Sequence, residues 1–266
     1  MQACQWLRLT TASGLLGVLW TLGISHKRGR DYTHSPDSEY EAKVAHIENT
    51  IKNHDPDKQV ILFLDELTIY QHPSVGYDYS SCQDQPKAVR GLKPNKCIRV
   101  AGAVNGATGQ VHAIIRNEIS VSTIVLFYQE LVKAHPGKQL IVIQDNGPNH
   151  THPDVVAALE KQNSPFAFHT PKSWSGVKPR KKFTNLNLPI QMVFLPTYAS
   201  WLNPIEKVWK KLKQEKIHLH TCTDAITDLK EKIAKWFDNL GNNKEELLKY
   251  MGLRKENSFY VKAFGD

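Results

Sequence analysis

The sequence predicts an α/β fold, a mixed sheet with helices laid against it, and three observations predict it. Short apolar runs rich in β-branched residues recur at 60–64, 140–143 and 190–195, as buried strands require. Longer segments of helical periodicity separate them. Asn105-Gly106 stands between two apolar runs, a strong hairpin signal. Strands alternating with helices, plus one hairpin, make a layered α/β sheet of mixed direction.

Taken in order, Thr11 or Ser13 caps a first helix running to about Leu22, with Gly23 as its stop. Residues 25–38 are basic and polar and read as a loop. A second helix spans 37–53, with Tyr40, Val44, Ile47 and Ile51 at helical spacing. The first strand, 60–64, is expected to end at Asp65. The hairpin strands are 99–104 and 110–115. A helix over 121–134 stops at Pro136-Gly137, and the strand 140–143 ends just before Asp145. A short helix at 153–161 precedes a stretch, 163–188, without periodicity. That stretch is rich in Pro, Ser and Lys and reads as a long loop carrying Lys178, Arg180, Lys181 and Lys182. The strand 190–195 and helices 203–216 and 224–240 complete the series.

Composition narrows the partners. With 41% apolar and 23% charged residues, a chain of 266 residues buries a sizeable core. Its net charge of +8 and pI near 9.2 suit a polyanion such as nucleic acid, though a merely basic protein fits charge alone. Cys4, Cys82, Cys97 and Cys222 show no CxxC spacing, which argues against a zinc cage and for free thiols in a reducing, cytoplasmic setting. The apolar run 12–24 is too short to span a bilayer. Its basic cluster, Lys27, Arg28 and Arg30, follows the run, the reverse of a secretion signal. No membrane and no organic cofactor is expected.

The chemistry lies in three carboxylates. Asp65 and Asp145 each follow an apolar strand, so their side chains emerge at the sheet edge where ligands of open α/β sheets bind. Glu66 points the other way if its strand continues, which favours Asp65. Two carboxylates held close repel and need a cation or a shared proton. Mg²⁺ answers with hard octahedral coordination, and a third carboxylate completes a pair of ions that clamps a phosphodiester. Each residue also has a structural reading. Asp145-Asn146-Gly147-Pro148 is a good turn, and Asn203-Pro204-Ile205-Glu206 is a helix start with a capping pattern. Spacing does not separate the readings.

Three runs bear on the choice: Ile61-Leu62-Phe63-Leu64-Asp65-Glu66; Gln144-Asp145-Asn146-Gly147-Pro148-Asn149-His150; and Leu195 through Trp209, containing Leu202-Asn203-Pro204-Ile205-Glu206. In this order they resemble the catalytic domain of mariner-like DDE transposases, most closely the bacterial insertion sequence 630 family, over roughly residues 58 to 220. The resemblance implies an RNase H-like fold with Asp65, Asp145 and Glu206 as catalytic metal ligands. It implies Mg²⁺ as the ion, with Mn²⁺ as a substitute. It also implies double-stranded DNA as partner, cut at transposon ends and joined through the freed 3′ hydroxyl to target DNA. His150 matches a family position near the second Asp and reads as a buried or capping histidine. Lys178, Arg180, Lys181, Lys182, Lys207 and Lys210 are the candidate DNA contacts.

Two departures accompany the resemblance. Asp145 and Glu206 stand 61 positions apart, longer than the family's compact spacing, and the surplus falls in the basic stretch. At the amino end only about fifty residues precede the first strand. They read as the remnant of a helix-turn-helix region and point to a truncated copy or a mis-started reading frame. The expected organisation is therefore a helical remnant and linker at 1–54, an RNase H-like catalytic domain at 55–222 and a helical extension at 223–266. A nuclease without strand joining and a DNA-binding relic unable to transpose stay open as alternatives, and the sequence leaves the oligomeric state, a homodimer included, undecided.

Overall fold

A computed structural model describes residues 11–25, 34–174, 176–240 and 244–254. Cys4, Lys27, Arg28, Arg30 and the end of the C-terminal extension lie outside them. The chain divides into two compact units, Met1–His34 and Ser35–Asp266. The first is described through α1 (Ala12–Thr21). The Thr11 hydroxyl accepts a hydrogen bond from the Gly14 N–H at 3.1 Å, and Gly23 takes the left-handed conformation that ends the helix (φ 72°). No α1 residue is buried. No helix among the described residues is long and apolar enough to cross a membrane.

The second unit is built on a five-stranded sheet of order β3-β2-β1-β4-β5. Its strands are β1 (Gln59–Tyr70), β2 (Cys97–Asn105), β3 (Val111–Arg116), β4 (Gln139–Gln144) and β5 (Ile190–Phe194). The first three pair antiparallel, whereas β1–β4 and β4–β5 pair parallel. The turn between β2 and β3 is longer than the two residues Asn105-Gly106 alone would make. The Asn105 carboxamide oxygen accepts from the N–H groups of Ala107 and Thr108, and the left-handed residue is Gly109 (φ 70°).

Side-chain alternation sends Ile61, Phe63, Leu67 and Ile69 to one face of β1 and Leu62 and Leu64 to the other. The first face is covered by α2 (Tyr40–Asn53), α6 (Ile205–Leu212), α7 (Ile226–Leu240) and α8 (Lys244–Met251), which contribute Ile47, Trp209, Ile233 and Leu248 to its core. The second is covered by α3 (Val121–Ala134) and α4 (Pro153–Ala158). The region 163–188 is not one loop. A short helix, α5 (Lys181–Thr184), is anchored by buried Phe183 in the second core.

Two local contacts are strict. Gly102 lies opposite Asp65 in the β1–β2 ladder, and a Cβ there would stand 2.4 Å from Cη2 of Trp209. Glycine lets the edge of the indole come this close to the strand. At the start of the second unit, Asp37 accepts from Lys43 Nζ at 2.8 Å and from the Thr197 N–H at 2.9 Å. Burial alone would raise its carboxyl, but these partners and the Glu39 N–H outweigh burial and hold its pKa at about 2. On the opposite side of the unit His112 and His135 meet edge to face at 5.1 Å. Burial, then the facing ring and Lys244, lower the His112 pKa to about 4.

Gly102→Ala is expected to cost about 1–3 kcal/mol of stability by overpacking against Trp209, measured by urea unfolding. His112 and Asp37 should each contribute a loss of stability on acidification, read as the difference between wild type and a variant lacking the group. Between pH 6.5 and about 4 the unfolded chain protonates His112 before the folded one does, a loss of about 2 kcal/mol after allowing for partial solvent screening. Between 3.8 and about 2 the Asp37 contribution goes the same way, on the order of 1 kcal/mol after allowing for solvent screening. His112→Phe should remove the first contribution and Asp37→Asn the second; unfolding curves of either variant that parallel wild type across its window would contradict the assignment.

Candidate active site

The last residues paired between β1 and β4 are Phe63 and Ile143. Asp65 and Asp145 each stand two positions further along the chain, Asp65 still within β1 and Asp145 one residue past the end of β4. Contrary to expectation, β1 does not end at Asp65. Antiparallel partners on β2 carry it on to the Tyr70–Cys97 pair. What ends there is β1's contact with β4, whose chain leaves the sheet after Gln144 and enters a 3₁₀ turn, Pro148–Thr151. Asp65 thus sits mid-strand at the mouth of a gap. Asp145 opens the departing turn, its Oδ1 accepting from the Gly147 N–H at 2.9 Å, and is 56% exposed.

The third carboxylate is placed by α6. Asn203 does not cap this helix as its sequence pattern indicated. It is buried, and its Nδ2 donates to the Leu64 carbonyl at 2.9 Å, fastening the helix start to β1 one residue before Asp65. Trp209, one turn after Glu206, donates from Nε1 to Asp65 Oδ2 at 2.8 Å. Positions three apart share a helix face, so Glu206 is carried to the same side. Burial first, then the Glu206 and Asp145 charges, push the Asp65 pKa up to about 7 against the Trp209 hydrogen bond. Burial raises Glu206 as well; Lys213 opposes this and Asp145 adds to it. The structure therefore brings Asp65, Asp145 and Glu206 into one electrostatic cluster.

Glu66 belongs to the other face, as strand alternation indicated, but it is not idle. His150, 1% exposed, reaches it from the 3₁₀ turn with Nε2 at 3.3 Å from Oε1, and lies 3.7 Å from Asp145 Oδ1. Burial would lower His150, but Glu66, Asp145 and Asp65 raise it; burial would raise Glu66, but His150 and Arg99 bring it below the usual range. Potential ligand atoms of Glu66, Asp145 and His150 all lie within 4.8 Å of one another. Asp145 therefore faces two clusters, an all-carboxylate one with Asp65 and Glu206 and a mixed one with Glu66 and His150. The first is a set of three hard oxygen donors whose mutual repulsion a divalent cation would relieve, with one Asp65 oxygen accepting from the Trp209 indole. The second is already balanced by a histidine–carboxylate pair. Sequence reasoning missed Glu66 as a partner of His150, and Asn203 and Trp209 as the residues that seat Asp65. The signal for the last pair lay in the run already singled out, whose Asn and Trp were taken as helix-start and motif residues.

The basic candidates divide. Lys207 and Lys210 are exposed on α6, and Lys178, Lys181 and Lys182 are exposed around α5. Arg180 is engaged internally: its Nε lies 2.7 Å from Asp154 Oδ2, and its backbone N–H donates to Asp154 Oδ1. It ties α5 to α4, and its charge is largely committed to that tie.

With this geometry in place, the similarities of the chain are informative. The insertion element IS630 uncharacterized 39 kDa protein of Shigella sonnei is 23% identical over 172 residues, covering 64% of this chain and 43% of that protein. The chain thus spans less than half the length of that relative. Among solved structures, the mariner Mos1 paired end complex with Mg matches with a TM-score of 0.59 at 14% identity, covering 95% of this chain and 69% of that one. The Mos1 strand transfer complex matches at 0.56 and 12%, covering 96% and 70%. At such identities the likeness is one of fold, and it agrees with an RNase H-like sheet of three antiparallel and two parallel-paired strands with flanking helices. The model of the DDE superfamily endonuclease family matches residues 60–229, a span that takes in both aspartate-bearing strands and α6, and the chain accordingly belongs to the DDE superfamily of endonucleases.

Proposed function

We propose that the chain is the catalytic domain of a DDE transposase, cutting double-stranded DNA at transposon ends and joining the freed 3′ hydroxyl to target DNA. The observation that carries this reading is the mutual electrostatic influence of Asp65, Asp145 and Glu206, with burial and the Glu206 and Asp145 charges pushing Asp65 up to about 7. Family membership supports it, as do structural neighbours that are DNA complexes of a transposase.

In this reading Asp65, Asp145 and Glu206 hold Mg²⁺, with Mn²⁺ able to replace it. When bound, the ion supplies Lewis-acid stabilisation of the phosphodiester and an acidified nucleophile. The chain's own contribution is position. Trp209 fixes the Asp65 carboxylate by one oxygen, Asn203 fixes the start of α6, and the Gly147 N–H fixes Asp145. In the same reading exposed Lys207, Lys210, Lys178, Lys181 and Lys182 neutralise backbone phosphates, which would place the duplex without reading its sequence. In each step an oxygen nucleophile, first water and then the 3′ hydroxyl, forms a new P–O bond as an existing P–O bond breaks. The departing oxygen takes a proton.

Asp65→Asn, Asp145→Asn and Glu206→Gln should each lower nicking of a plasmid that carries the element's ends by about 1000-fold, equivalent to several kcal/mol of lost charge stabilisation. Glu66→Gln should cost far less, and a chelator should abolish the activity that Mg²⁺ or Mn²⁺ supports. If Glu66→Gln abolished nicking while Glu206→Gln cut at the wild-type rate, the mixed cluster and not the carboxylate cluster would be the working site.

A further inference from the structure

Beyond Glu206, the last helical turn of α6 gives way to a π turn, Lys213–Ile217, a geometry that concentrates at functional sites. Lys213 stands seven residues after Glu206, on nearly the same side of the helix and about 10 Å further along it. Its positive field is the main influence opposing the burial that raises Glu206. Facing it is the long connection between β1 and β2, and that connection is held in place. Gln71 Nε2 donates to the Thr223 carbonyl at 2.7 Å, the His72 N–H donates to Asn95 Oδ1 at 2.9 Å, and Ser74 Oγ and His218 Nδ1 share a hydrogen bond of 2.8 Å. Gly76 lies so close to His218 that a Cβ would meet it at 2.5 Å.

The connection and the π turn enclose a cavity of about 340 Å³. Its polar wall is made by Thr68, His72, Ser74, Arg90, Asn95 and Lys213, and no carboxylate lines it. Among the described residues neither Arg90 nor Lys213 has an ion pair or a side-chain hydrogen bond. Two cations without an ion pair, beside hydroxyl and amide groups and with no carboxylate in the wall, favour an anion. A guanidinium fork with an ammonium point charge is a phosphate-binding combination. The cavity is larger than one phosphate needs and leaves room for the attached sugar.

We propose that Arg90 and Lys213 form a phosphate subsite that grips the DNA strand beside the reacting phosphodiester. The separation along α6 corresponds to roughly two to three nucleotides of one duplex strand. The assignment of the strand rests on reading the carboxylates as the cutting site.

Two arms test it. In the first, binding of a short fluorescent duplex by the full chain is followed as NaCl rises. R90Q/K213Q is expected to reduce the slope of log K against log salt by about 0.9, one phosphate contact, and R90K/K213R to keep it; an unchanged slope in R90Q/K213Q overturns the subsite. In the second, binding is measured with duplexes spanning the mapped cut position, each with a single neutral methylphosphonate. One position about two to three nucleotides from the cut should weaken the wild type several-fold and be silent in R90Q/K213Q. If every methylphosphonate affects the two proteins alike while inorganic phosphate competes only with the wild type, the cavity serves a free phosphate and the proposal fails. A wild-type chain that shows the salt dependence but never cuts would leave the subsite standing and refute the cutting site.

Discussion

β2 accompanies β1 along its whole length, whereas β4 leaves it at the Phe63–Ile143 pair. This mismatch in the lengths of two ladders opens the edge on which the rest of the site depends. A strand flanked on both sides has its backbone groups satisfied and its side chains committed to the two cores. Beyond Phe63 one flank is missing, and polar side chains on both faces of β1 gain access to the space that β4 vacates. Asp65 uses it on the α6 side and Glu66 on the α3 side, so neighbouring acids in sequence serve different clusters.

Holding a carboxylate there is expensive. Burial is the largest influence on Asp65 and acts against its charged form. The surroundings offset part of this with the Trp209 indole and the Glu66 N–H, and the indole comes this close because Gly102 has no Cβ to meet it. Asn203 adds the complementary restraint from the helix side. The apolar core under α6 and the polar site at its start are thus one construction: the same indole fills the core and orients the acid. Apolar burial supplies rigidity, and the uncompensated charge that remains is what a divalent cation would relieve.

Much of this was legible in the residues. The strands carrying Asp65 and Asp145, the hairpin, and α3 with its Gly137 stop follow from local pattern, and alternation alone put Glu66 opposite Asp65. What was not legible depends on distant partners. Asn203 looks like a cap because capping is a local pattern, but its partner, Leu64, lies 139 positions away. The continuation of β1 past Asp65 is supported by β2, not by its own polarity, since Glu66 and Thr68 interrupt the apolar run. In the basic stretch a single aromatic residue, Phe183, anchors α5, and one residue makes no periodicity. The π turn at Lys213 has no sequence signature at all, so its cation was not among the candidates drawn from charge.

The clamp at Asp37 has a mechanical side. Ser35 Oγ donates to the Thr197 carbonyl at 2.5 Å, and the Thr197 N–H donates back to Asp37 at 2.9 Å. The chain entering the second unit is therefore riveted to the loop between β5 and α6 before it begins α2. That loop includes Tyr198, whose backbone is in the left-handed region (φ 56°), and it leads within a few residues to Glu206. Tension applied to the chain upstream of Ser35 is delivered to this loop, not absorbed by α2, which makes the rivet a lever arm whose short end is the placement of the third carboxylate.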